Sequence, residues 1–75
     1  MPLPAHLDAD RWVAHLFSAR AAAEGGIVRR KVRDVERIVG LPRFEREVAR
    51  RGFQLLVNAD QFIVVCNAQP VRRRV

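Results

Sequence analysis

Cysteine is almost missing from this 75-residue chain, and Cys66 stands alone. No disulfide can close within the chain, which excludes the disulfide-stapled class of small secreted domain. Histidine is nearly as scarce, with only His6 and His15, and no CxxC or HxxxH spacing occurs. No metal site is therefore expected. Gly25-Gly26 is too short for a phosphate-cradling loop, so no cofactor is expected either. The longest apolar run, Phe62-Ile63-Val64-Val65-Cys66, falls far short of the about 20 residues that a membrane span needs. The first residues lack a basic stretch followed by an apolar run, so they do not read as a signal peptide. A reduced, cytoplasmic protein with no membrane contact is the expectation. His6, His15 and Cys66 fall in three separate parts of the chain, so no catalytic residue is assigned and no enzyme activity is expected.

Aromatics are few: Trp12, Phe17, Phe44, Phe53 and Phe62. The core must rest on Val, Leu, Ile and Ala, with those five as anchors. A chain of this size forms one domain and buries roughly 60–65% of the surface its unfolded form exposes. The margin is thin, and dimerisation is one common way for such a domain to bury more.

What the chain has in abundance is arginine. Thirteen of its fourteen bases are Arg, and the net charge is +6. Residues 29–51 hold nine of those bases against four acids. Arginine presents a planar fork that grips phosphate or carboxylate through two bonds.

Apolar periodicity places the elements. Pro2 and Pro4 suggest an extended arm over residues 1–7. Asp8 reads as an N-cap, and residues 9–23 carry a helical apolar face through Trp12, Val13, Leu16 and Phe17. After Gly25-Gly26, residues 27–30 read as a short strand or as the start of the next helix, with the strand preferred. Val32, Val35, Ile38 and Val39 follow helical spacing up to Gly40. Pro42 suits a first helical turn, and Leu41, Phe44 and Val48 form an apolar stripe that ends at Gly52. Residues 53–57 and 61–66, joined by Asn58-Ala59-Asp60, read as a β-hairpin that begins at Phe53 and ends at Cys66. The expected fold class is α+β: a single domain over residues 8–67 in the order helix, short strand, helix, helix, hairpin, followed by a basic tail over residues 68–75.

This order, with two short helices meeting at Gly40-Leu41-Pro42, resembles a winged helix-turn-helix domain over residues 8–67. The chain is also similar to short proteobacterial reading frames that contain GGxxRRKVRDxER and a later RRGF. Here these are Gly25 to Arg37 and Arg50-Arg51-Gly52-Phe53; that likeness implies no activity. The winged helix-turn-helix resemblance implies DNA binding, with residues 42–51 as the helix that enters the major groove. Aligning Gly40 with the usual turn glycine puts Arg46 where that family has an apolar residue, so the turn must be shifted.

If Leu41, Phe44 and Val48 face inward, then Arg43, Arg46, Glu47 and Arg50 fall on one outward stripe. Three guanidiniums there fit a phosphate backbone or guanine edges. Arg29, Arg33 and Arg37 step along another face, with Arg30 and Lys31 beside them and Arg51 at the end of the block. These nine, Arg29, Arg30, Lys31, Arg33, Arg37, Arg43, Arg46, Arg50 and Arg51, are the candidate nucleic-acid contacts, and Arg72 to Arg74 add non-specific phosphate affinity. The expected role is a small DNA-binding regulator or accessory factor. An adaptor that meets an acidic protein partner is the second reading. An RNA- or ribosome-associated protein is the third, because no stacking aromatic stands beside the outward arginines. The hairpin carries no Lys or Arg and is apolar on both faces: Leu55 and Val57 on one, Leu56 on the other, with Phe62 and Val64 alternating against Ile63 and Val65. Such a hairpin needs cover on both sides, which makes it a candidate homodimer surface.

Overall fold

The computed structural model describes the backbone of residues 5–75 and the side chains of residues 8–75. It is a small α+β domain with four helices and one three-stranded antiparallel sheet. The elements are α1 (Ala5–Phe17), α2 (Arg20–Ala23), β1 (Ile27–Lys31), α3 (Val32–Ile38), α4 (Leu41–Arg50), β2 (Gln54–Asn58) and β3 (Gln61–Val65).

Two expectations at the N-terminal end are corrected. Residues 1–4 of the expected arm lie outside the described residues, but Ala5 to Leu7 are helical. Proline restricts itself and the residue before it, and leaves the residues after it free to be helical. Asp8 is therefore within the first turn of α1 and is no N-cap. There the helix dipole still favours its charge.

The expected single helix over residues 9–23 is also broken in two. Ser18 Oγ donates to the carbonyl of His15, and the Ser18 N–H reaches the carbonyls of both Ala14 and His15. A serine that bonds its own helix competes with the ladder. Ala19 then turns extended, with φ −59° and ψ 147°, and α2 restarts at Arg20. The apolar face of α1 spans Ala9, Trp12, Val13, Leu16 and Phe17, the i, i+3, i+4 pattern of a one-sided helix.

In the sheet, β3 lies between β1 and β2. The rows Val28–Val64–Leu55 and Arg30–Phe62–Val57 share one face. Ile27–Val65–Gln54, Arg29–Ile63–Leu56 and Lys31–Gln61–Asn58 make up the other. The first face carries the core, because Val28, Phe62 and Val64 are buried with Leu16, Val35, Phe44 and Val48. Burying each such side chain contributes about 1.5–3 kcal/mol. Phe44 is the hub: its ring lies 6.2 Å from Trp12 on α1 and 5.7 Å from Phe62 on β3.

The hairpin closes through a two-residue turn, Ala59-Asp60, between the paired Asn58 and Gln61. Ala59 occupies the left-handed region at φ 52°, as the first central residue of such a turn does. The Val32 N–H donates to the Asp60 carbonyl at 2.8 Å, which ties the hairpin tip to the start of α3. Beyond β3, Asn67 Nδ2 donates to the Gly25 carbonyl, and Gln54 Nε2 donates to the carbonyls of Asn67 and Gln69. The first residues of the basic tail are thereby fixed to the sheet.

Candidate functional site

α4 is positioned by its two ends. Gly40 precedes it at φ 88° and ψ 140°, a backbone that side chains rarely tolerate. Gly52 ends it at φ 73°. Between them Phe44 and Val48 are buried, and Leu41 packs against the same cluster. Arg46 and Arg50 point to solvent on the opposite side, with Arg43 flanking them half-buried. Arg46 thus stands at an exposed position.

The arginines of α4 differ in how they are held. The Arg43 guanidinium pairs with Asp10 on α1, across 33 residues of sequence. That hydrogen bond raises the Arg43 pKa further above its ordinary value. Arg50 Nη2 and Arg51 Nη1 both donate to Glu47 Oε2, at 2.8 and 2.6 Å. Arg51 also donates to the Glu47 carbonyl and lies 4.0 Å above the Phe17 ring. Arg51 therefore works as a structural staple between α4 and α1. Arg46 makes no ion pair among the described residues.

The bond from Arg51, followed by that from Arg50, lowers the Glu47 pKa below the usual carboxylate range. A depressed carboxylate contributes stability that is fully present above the unfolded glutamate value of about 4.3 and fades as pH falls through the folded value. The denaturation midpoint of the wild type should therefore exceed that of Glu47→Gln near neutral pH. The gap should close on acidification below about pH 4. A gap that stays constant with pH, measured by urea denaturation, would contradict this role.

The second cluster divides. α3 begins at Val32, so only Arg33 and Arg37 lie on a common helical face. Both are exposed and lie 3.6 and 3.5 Å from Asp34, as surface pairs of little energetic weight. Arg29 is not part of that face, which corrects the expected row of Arg29, Arg33 and Arg37. It projects from β1 on the far side of the sheet, with Lys31 two residues on and Ile63 beside it. Arg30 alternates to the core-side face, half-buried, and its Nη1 donates to the Arg29 carbonyl. Arg72, Arg73 and Arg74 are exposed.

Sequence reasoning missed Asp10 and Glu47 as organisers of the basic face. Glu47 was legible from its i+3 and i+4 spacing to Arg50 and Arg51, whereas nothing local pointed to Asp10. Among the described residues no group of three His, Cys, Asp or Glu side chains is placed to hold a metal. No helix there is long and apolar enough to cross a membrane. Cys66 is buried, and that burial pushes its thiol pKa up. Comparison with protein-family models, curated proteins and solved structures gave no match.

Proposed function

We propose that this chain is a nucleic-acid-binding domain of the winged helix-turn-helix kind, with α4 as the helix that enters the major groove of duplex DNA. The observation that carries the reading is the outward face of α4, where Arg46 is exposed and makes no ion pair among the described residues, beside the solvent-facing Arg50. The corner between α3 and α4 at Gly40, and a β1 strand that joins the hairpin sheet through β3, agree with it. Arg43 and Arg50 enter such a complex already oriented by Asp10 and Glu47. Arg33 and Arg37 on α3 contact the phosphate backbone, and Arg72 to Arg74 add sequence-independent attraction. Arg51 is read as support for α4. A DNA-binding regulator or accessory factor acting in the cytoplasm is the role that follows.

The test is titration with duplex DNA at several salt concentrations. Affinity should fall steeply with salt, and Arg46→Ala combined with Arg50→Ala should lower the log–log slope by about 2, at roughly 0.9 per lost phosphate contact. No binding at low salt, or an unchanged slope and affinity in the double variant, would refute the reading. An adaptor role has its own observation: Arg29 and Lys31 flank Ile27, Ile63 and Leu56 on the sheet face away from the core, a surface suited to an acidic, partly apolar protein. RNA binding draws on the same bases and ranks below both.

A further inference from the structure

The sheet has two edges, and they are built differently. β1, at one edge, carries Arg29, Arg30 and Lys31 in succession. An antiparallel copy of β1 centred on Arg29 would set arginine against arginine, and like charges directly opposite are destabilising. Charge of this kind is how natural edge strands avoid pairing. β2, at the other edge, reads Gln54-Leu55-Leu56-Val57-Asn58 and has no charge at all. Its Val57 is 62% exposed and its Leu56 is half-buried on the outer face.

The backbone of β2 is open as well. The two-residue turn makes Asn58 and Gln61 the closing pair of the ladder. Alternation along an antiparallel ladder then turns the N–H and C=O of Leu55 and Val57 away from β3. No backbone group elsewhere among the described residues meets them. An uncharged edge with an apolar centre and free donors and acceptors is a template for another strand.

We infer that a second copy of this chain occupies that edge, pairing β2 with β2 about a two-fold axis at Leu56. In this register Leu55 faces Val57 of the other copy, Gln54 faces Asn58, and Leu56 packs on its own equivalent. The strands are self-complementary on both faces, as an isologous contact requires. Charge supports the same register. Asp60, exposed and without an ion-pair partner among the described residues, is the only acid of the hairpin. The two-fold carries it to the end of the other copy's β2 that the chain enters from Arg51 through Gly52 and Phe53. The result is one continuous six-stranded sheet with a basic edge strand at each end. The inference stands apart from nucleic-acid binding, because the strand pairing uses no residue of α3 or α4.

Light scattering coupled to size exclusion, run over a dilution series, tests it. The wild type should show twice the 8.6 kDa chain mass. Two variants should halve that mass while keeping the far-UV circular dichroism of the native sheet. Val57→Pro removes an outward N–H without costing β2 a bond to β3. Leu56→Lys puts two ammonium groups opposite each other, and it decides the question if Val57→Pro fails to fold. A wild type that remains at the single-chain mass up to about 1 mM overturns the inference. A dimer that persists in either folded variant does the same.

Discussion

Phe44→Ala is expected to lower the stability of the domain by about 3–5 kcal/mol and to move its urea midpoint far down. Phe44 has no exposed surface, and its ring joins Trp12 of α1 to Phe62 of β3. It is thus the contact that brings α1, α4 and the sheet to one point. Truncating a buried phenylalanine costs about 3–5 kcal/mol, for lost transfer energy and for the void left behind. Total stability for 75 residues, at about 0.05–0.15 kcal/mol per residue, is about 4–11 kcal/mol. The loss therefore consumes a large share of what holds the domain together. Trp12 fluorescence and near-UV circular dichroism should both report a loosened ring environment. Phe53→Ala makes the comparison, since Phe53 is half-buried at the margin of the core and pairs with one aromatic ring, that of Phe17, at 5.9 Å. It should cost clearly less. Equal losses in the two variants would show that Phe44 is not the hub.

Gly40→Ala should destabilise the domain although the added methyl group meets nothing. Among the described residues, no heavy atom outside Gly40 and its two chain neighbours lies within 4 Å of the position that a Cβ would take. The cost arises wholly in the backbone, because φ 88° with ψ 140° belongs to a region almost reserved for glycine. A side chain held there costs about 1–3 kcal/mol. The chain can relieve that strain only by changing the angle between α3 and α4, so the variant should also weaken whatever α4 binds while every arginine is retained. A urea midpoint equal to that of the wild type would mean that the corner is not strained for L-residues.

How much of this was legible beforehand depends on how local its cause is. The strand at Ile27, the hairpin, and the helix bearing Leu41, Phe44 and Val48 were all readable from turn residues and spacing. They arise from short-range chemistry: Gly25-Gly26, Gly52 and Asn58-Ala59-Asp60. The break at Ser18-Ala19 was not readable, because the alanine-rich stretch that follows has high helix propensity and the periodicity runs straight through it. There the Ser18 hydroxyl turns back on His15 and the Ala19 backbone becomes extended. On the basic face, helical spacing found Arg46 and Arg50 as outward-facing, whereas Arg43 and Glu47, expected on the same stripe, are partly covered by their ion pairs. It did not reveal that Asp10 holds Arg43, since that contact depends on how α1 packs on α4. Nor did it reveal that Arg51 rests on Phe17, for the same reason. Arg29 was assigned to a helical row because the boundary between β1 and α3 falls two residues after it, and element ends are where pattern reading is weakest.

The position of Cys66 has a practical consequence. The thiol follows directly on the central strand and is 3% exposed, and no other cysteine competes with it for a reagent. Alkylation in the native protein must therefore wait for that part of the sheet to open. With a fast reagent its rate measures how often the strand leaves its neighbours, and with a slow one it measures the fraction of time spent open. The chain thus carries a built-in clock for its own breathing.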